Sequence, residues 1–279
     1  MMSRYHHVCF CTLALGKKYR SLALLLAGDL ETYSPGKALV VLTDDPSHFQ
    51  PCSNVLAFKH SQQGVTCYHD KRFVIQTALS HFEACIFIDA DMRVVGEVPH
   101  DLTWLPGITA RSGCSTLKHN QNRKARSIVE KVAHKWNLNL ETVLYVNEFL
   151  FVVSKDAGKE ADFLQAWDWL APYFELNGIY SGEGSAIGLA AAKAGLDIRL
   201  DTVDRFPFFK DRIEKIRISK GDADPHTNQR YFDEQRRYEF PQLSLSEKLV
   251  AKVSKPVKRF CRLIQLRIDT LKHFSFYYK

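Results

Sequence analysis

Hydrophobic positions change period repeatedly along the first hundred residues. Residues 38–42 and 85–88 are apolar at consecutive positions, and 8–13 are so apart from Thr12, as strands buried on both faces of a parallel sheet are. Residues 55–58 form a shorter run of the same kind. Between the runs, residues 19–30 set Leu22, Leu25, Leu26 and Leu30 on one broad helical face. Residues 71–82 place Val74, Ala78 and Phe82 at i, i+4 and i+8. Strand and helix alternate with short connections, which predicts parallel crossover units and an α/β, doubly wound sheet. Ligands of such sheets bind beyond the carboxyl ends of the strands. Three polar strand ends fall there: Thr12, Asp44-Asp45, and Asp89 with Asp91.

The second half is more mixed. Residues 124–136 and 160–174 read as helices and 149–153 as a strand. Gly182-Glu183-Gly184-Ser185 opens a helix over 186–194 that Gly195 stops, and 197–200 returns as a strand. With no internal repeat or low-complexity linker, residues 1–243 are expected to form one domain and 244–279 a separate tail. In that tail Leu249, Val253, Val257, Phe260, Ile264, Ile268 and Leu271 recur at helical spacing between basic residues. Pro256 is expected to break or kink the segment into two helices.

A chain of 279 residues, 46% hydrophobic, can bury a large core. It has no run of 18 apolar residues, and its start leads into a strand without a secretory-type apolar region. The seven cysteines lack metal-type spacing, and Cys9 and Cys11 fall on one side of a strand. Buried reduced thiols and a cytoplasmic setting are the expectation. The net charge of +7 lies in the tail, where nine basic residues face Glu247 and Asp269. The preceding 243 residues balance 29 basic against 29 acidic side chains, so a general nucleic-acid surface is not expected.

Candidate chemistry centres on Cys85-Ile86-Phe87-Ile88-Asp89-Ala90-Asp91-Met92, an apolar run ending in two carboxylates one residue apart. Alternation on a strand end would aim Asp89 and Asp91 at one point. Two hard oxygen ligands there suit a divalent cation that itself holds a diphosphate. The 18 aspartates make about one D-x-D triplet expected by chance, and there are two. The other, Asp222-Ala223-Asp224, lies between Gly221 and Pro225 and reads as a polar turn.

These segments together resemble nucleotide-sugar glycosyltransferases of the GT-A type. Cys11-Thr12-Leu13-Ala14-Leu15-Gly16 through Tyr19 is similar to their first strand and nucleotide-facing loop, and Val40-Val41-Leu42-Thr43-Asp44 to their second strand. Lys71-Arg72-Phe73-Val74 leading to Phe87-Ile88-Asp89-Ala90-Asp91-Met92 resembles the helix and metal strand of the glycogenin-like and blood-group-transferase-like families. Asn177 to Gly184 resembles the later acidic loop near the sugar.

The resemblance implies a GT-A-like mixed sheet with a Rossmann-like nucleotide-binding half. It implies metal-dependent transfer from a nucleoside diphosphate sugar, a UDP-sugar above all, to a glycan or lipid-linked acceptor, with retention. Mn²⁺ or Mg²⁺ would be held by Asp89 and Asp91, with His226 as a third ligand candidate, although the glycine and Lys-Pro that follow the family's histidine are missing. Lys71 or Arg72 can serve the phosphates or base, and a solvated helix start is the alternative. Asp44 or Asp45 can accept from the uracil or ribose, against a simple turn before Pro46. Tyr19 can stack on the base or pack on its own helix. Glu183 is the candidate carboxylate near the anomeric carbon, and Asn147 a weaker donor- or acceptor-site candidate.

The basic amphipathic tail, ending in Phe274, Phe276, Tyr277 and Tyr278, is similar to an interfacial anchor for anionic lipid at the inner face of a membrane. A helix packed on the domain is the alternative. Two other functions stay open: a sugar-1-phosphate nucleotidyltransferase, of whose glycine-rich basic signature Leu15-Gly16-Lys17-Lys18 is a poor version, and a non-catalytic binding protein on the same fold.

Overall fold

A computed structural model describes residues 7–99, 103–111, 115–119, 123–200, 206–239 and 245–279. Strand β1 (Val8–Ala14), helix α1 (Gly16–Tyr33), β2 (Leu39–Thr43), β3 (Val55–Lys59), α2 (Lys71–His81) and β4 (Ala84–Ile88) follow the predicted alternation. Next come β5 (Arg93–Val94), β6 (Gly107–Ala110), α3 (Arg123–Trp136), β7 (Leu150–Ser154), α4 (Lys159–Leu176), α5 (Glu183–Ala194), β8 (Ile198–Leu200) and β9 (Phe208–Phe209). The chain then runs through α6 (Asp211–Lys220), α7 (Gln229–Glu239), α8 (Leu245–Thr270) and the short α9 (Phe274–Tyr278).

Seven strands form one sheet in the order β3-β2-β1-β4-β7-β6-β8. Strands β1 to β4 are parallel to one another, β7 runs against both β4 and β6, and β6 is parallel to β8. The fold is therefore α/β with a mostly parallel, Rossmann-like sheet. The consecutive apolar runs have the cause their pattern implied, since β1, β2 and β4 are covered on both faces. Cys9, Cys11, Val40, Cys85 and Phe87 pack with Val74 of α2, Trp167 of α4 and Ile187 of α5. On the other face Phe10, Val41, Ile86 and Ile88 pack with Ala23, Leu26 and Leu30 of α1. Cys9 and Cys11 are buried free thiols.

Behind the end of β4, a buried ion-pair network fixes the chain. Arg93 in β5 donates from Nε to Asp29 Oδ2 (2.5 Å) and from Nη2 to Asp29 Oδ1 (2.7 Å), and also pairs with Glu234. This ties α1, β5 and α7 together two residues beyond Asp91.

Several features depart from the sequence reading. β6 lies between β7 and β8 and, with α6 and α7, had no clear periodic signal. Pro256 does not divide the tail, because α8 runs unbroken from Leu245 to Thr270. Pro256 is exposed, where water can serve the carbonyl that proline leaves without a donor. The domain boundary at 243/244, and the side chains of Leu249 and Val253, lie outside what the structure describes. Among the described residues, no helix is long and apolar enough to cross a membrane.

Candidate functional site

β4 ends at Ile88, where the Asp89 N–H donates to the Phe149 carbonyl (3.0 Å) and the Met92 N–H to the Asp89 carbonyl (3.0 Å). Residues 89–92 therefore turn. Strand alternation is not what brings Asp89 and Asp91 together; the turn does. Both carboxylates meet one ammonium, with Lys210 Nζ 3.1 Å from Asp89 Oδ2 and 2.7 Å from Asp91 Oδ1.

A second ammonium holds the other side of Asp89. Lys71, the first residue of α2, puts Nζ 2.9 Å from Asp89 Oδ1 and 2.9 Å from Glu183 Oε1. It also donates to the Glu148 main-chain carbonyl (3.1 Å) and lies over the Phe87 ring. Burial opposes the charge on Lys71, but Asp89 and Glu183 outweigh it and push its pKa up. For Asp89, burial is likewise outweighed by Lys71 and Lys210, and its pKa is lowered. Glu183 is buried yet lowered for the same reason, with Lys71 as its counter-charge.

Glu183 reaches this position because α5 begins against the segment before β7. Gly182 adopts a φ of +108°, a conformation that favours glycine. A Cβ on Gly184 would lie 2.2 Å from the Val146 carbonyl oxygen, and one on Gly188 would lie 2.0 Å from that of Leu144. These two glycines let residues 144–146 cross the helix closely. The chain then delivers Glu148, whose Oε2 accepts from the Tyr145 hydroxyl at 2.6 Å. Burial and then repulsion from Glu183 raise the Glu148 pKa.

These side chains line one cavity of about 220 Å³, with Leu13, Leu15, Tyr19 and Tyr68 completing its wall. Burial and then the nearby Asp91 push the Tyr19 phenol up to about 12, so it remains a hydroxyl donor at neutral pH. The wall carries four carboxylates (Asp89, Asp91, Glu148, Glu183) and two ammoniums (Lys71, Lys210).

No protein-family model and no curated protein matches the chain. The site must be read from its own chemistry.

Of the residues singled out in the sequence, Asp89, Asp91, Lys71, Glu183 and Tyr19 come together. The others lie elsewhere. Thr12 is buried on the β1 face that carries Phe10 and Ala14, towards α1. Asp44 accepts from the Gly16 N–H (2.9 Å) and from Arg20 (2.6 Å), closing the start of α1. Asp45 accepts from Ser47 at 2.6 Å in the turn that follows. Arg72 points to the opposite side of α2, where it pairs with Asp168 and donates to the His69 carbonyl (2.7 Å). Asn147 is half-buried beside the cavity without lining it. His226 is exposed in the turn between α6 and α7 and is not gathered with the aspartates; its N–H donates to Asp224 Oδ1 at 2.8 Å.

Sequence reasoning missed Lys210, Glu148 and Tyr68. Glu148 is reached because β7 is antiparallel and therefore presents its amino-terminal end beside the carboxyl end of β4. Lys210 is carried back by β9, which pairs with β5 immediately after Asp91. Neither pairing has a local sequence signal.

Among the described residues, no group of three or more His, Cys, Asp or Glu could hold a metal by itself. Two carboxylates are nevertheless what a Mg²⁺-type ion takes from protein when phosphates and water complete its shell. The excess of carboxylates over ammoniums also leaves the cavity short of positive charge. The donor set fits a divalent cation that arrives with an anionic ligand.

Proposed function

We propose that this chain is a glycosyltransferase that takes its sugar from a nucleoside diphosphate sugar, with a UDP-sugar as the preferred donor class. One observation carries the reading: four carboxylates, Asp89 and Asp91 among them, and two lysines converge on a tyrosine-walled cavity at the carboxyl end of a central strand. A mixed seven-stranded sheet with the aspartates at its β4 end supports a GT-A-like arrangement.

In this reading Asp89 and Asp91 hold Mn²⁺ or Mg²⁺, which when bound supplies Lewis-acid neutralisation of the leaving diphosphate. Tyr19 and Tyr68, both partly exposed at the cavity wall, provide faces for a base or ribose. Lys71 keeps Glu183 ionised and oriented towards the sugar. Glu148, with its raised pKa, suits proton acceptance from an acceptor hydroxyl better than Glu183, whose basicity Lys71 suppresses. Asn147, next to Glu148, remains a second-tier candidate for the acceptor side.

The test is calorimetric titration of UDP with and without Mn²⁺ on the wild type and on Asp91→Asn, followed by a donor panel. Metal-supported binding lost in the variant, with sugar transfer from one donor, is the expected result. Pyrophosphate release from a nucleoside triphosphate and a sugar 1-phosphate would favour the nucleotidyltransferase reading. Binding without turnover of any donor would favour the non-catalytic one. The anomeric configuration of the product, read by NMR, tests retention.

The reading extends to a lipid-linked acceptor at an anionic membrane surface. The tail packs on the body and still presents an apolar stripe outwards. Thr270 of α8 is buried, and Phe276 and Tyr277 pack around Trp169 and Tyr173. Val257, Phe260, Ile264, Ile268 and Leu271 lie between 43% and 63% exposed. The Arg259 guanidinium stacks on Tyr180 at 3.9 Å, which ties α8 to the loop that leads into α5.

A further inference from the structure

We propose that Lys210 is a stand-in cation for the Asp89–Asp91 pair, released only when a divalent cation and a diphosphate arrive together. The inference rests on the function proposed above and concerns how that site loads.

The two lysines of the cavity are held differently. Lys71 is shared among Asp89, Glu183 and the Glu148 carbonyl, and stays anchored if any one of them changes partner. Among the described residues, the polar partners of the Lys210 ammonium are Asp89 and Asp91 alone, with the Phe149 ring 5.6 Å away. Its backbone is held independently of those two carboxylates. Strand β9 pairs with β5 through Arg93↔Phe209 and Val94↔Phe208. The Lys210 carbonyl accepts from Ile213 and Glu214 (2.9 Å each) at the start of α6. Lys210 and Asp91 also line a second cavity of about 480 Å³ with Arg212, Lys215 and Ile216. Lys210 therefore stands in the wall between the two cavities, its side chain only 14% exposed.

Electrostatics sets the order of events. Lys210 Nζ lies 3.1 Å from Asp89 and 2.7 Å from Asp91, so it would compete for these carboxylates with any divalent cation they hold. A cation arriving alone must leave the ammonium unpaired in a largely enclosed place, which is costly. A diphosphate arriving alone meets four carboxylates and is repelled. When both arrive, Asp89 and Asp91 would hold the ion and Lys210 would turn to a phosphate oxygen as its new partner. Each ligand then raises the affinity of the other by the same factor, as linkage requires. The lysine keeps the aspartates paired until donor is present and joins the diphosphate afterwards.

The test uses the full chain and three calorimetric titrations: Mn²⁺ alone, UDP in chelator, and UDP in saturating Mn²⁺. Wild type is compared with Lys210→Met, with Lys210→Gln as a second variant and Lys215→Met as a control from the neighbouring cavity. Asp89 keeps Lys71 and Asp91 is partly exposed, so the fold should tolerate the loss, which circular dichroism verifies. Wild type should bind Mn²⁺ alone weakly, with UDP strengthening it about tenfold or more. Lys210→Met should bind Mn²⁺ alone about tenfold more tightly and UDP–Mn²⁺ about tenfold more weakly, with Lys215→Met unchanged. Equal Mn²⁺ affinity in wild type and both Lys210 variants would overturn the proposal while leaving the nucleotide site intact. So would UDP binding that chelator does not weaken, since the lysine would then replace the metal permanently. Absence of UDP binding in every protein would overturn the proposed function, and the coupling with it.

Discussion

Lys71 Nζ lies 2.9 Å from Glu183 Oε1, joining the first residue of α2 to the first residue of α5 across the carboxyl end of β4. Both side chains are almost fully buried, and the same ammonium serves Asp89. Removing one member of a buried pair leaves its partner charged and unpaired, which costs about 3–5 kcal/mol. Lys71→Met should lose that much in urea unfolding and should also lose nucleotide binding. Glu183→Gln, which keeps the shape and leaves Lys71 paired with Asp89, should cost clearly less. Equal losses in the two variants would mean that Lys71 is not the shared hub.

His69 predicts a separate acid-sensitive term away from the aspartates. Its ring is buried, Nδ1 accepts from the Trp167 indole N–H at 3.1 Å, and burial lowers its pKa to about 4. An unfolded histidine titrates near ~6.5. The folded state thus resists a proton that the unfolded state accepts. Stability is at its full value above about pH 6.5 and falls as pH drops towards 4, by about 3 kcal/mol in all. Urea unfolding at pH 7.5 and 5 should show about 2 kcal/mol of this loss in wild type, and His69→Gln should shrink it whatever its own baseline stability. An unchanged pH difference in the variant would assign the acid sensitivity elsewhere.

The sequence and the structure agree where the elements follow local pattern. Continuous apolar runs placed β1, β2 and β4, and the abrupt polarity at Asp89 and Asp91 placed the site at a strand end. Lys71 stood out because it begins a helix with a clear apolar face, and Glu183 because it lies between two glycines at a helix start. What stayed hidden depends on non-local pairing. Nothing around Phe149 says that β7 is antiparallel, yet that orientation brings Glu148 to the cavity. Nothing in Phe208-Phe209-Lys210 says that two residues of strand will pair with Arg93-Val94. Arg72, at a helix start, and Asp44, at a strand end, were singled out as polar residues near the expected site, and the fold places them outside the cavity in ion pairs with Asp168 and Arg20.

Gly188 should be the most sensitive glycine for folding. Its added Cβ would sit 2.0 Å from the Leu144 carbonyl oxygen, a backbone atom that cannot rotate away. Gly188→Ala therefore has to push α5 from residues 144–146, at a cost of about 1–3 kcal/mol or more. The same displacement would move Glu183 relative to Glu148, so nucleotide binding should weaken in the fraction that remains folded. Gly195→Ala is the comparison, since its Cβ meets nothing within 4 Å and the strain comes only from a φ of +64°. Its measured loss should be smaller and should leave binding untouched.

The α8 stripe predicts membrane binding that can be removed without harming the fold. Phe260 is 63% exposed and Ile264 is exposed on the same face, with Lys258, Arg259 and Arg262 beside them. Apolar insertion and cationic attraction would act together on an anionic surface and not on a neutral one. In flotation assays the full chain should bind vesicles containing about 30% phosphatidylserine, and added salt should weaken the binding. Phosphatidylcholine vesicles should bind little. Phe260→Asp with Ile264→Asp should abolish flotation while changing unfolding free energy by only about 0.5 kcal/mol, because neither side chain belongs to the buried core. Flotation retained by the double variant would assign the stripe to another partner, and equal binding to neutral vesicles would remove the electrostatic half of the argument.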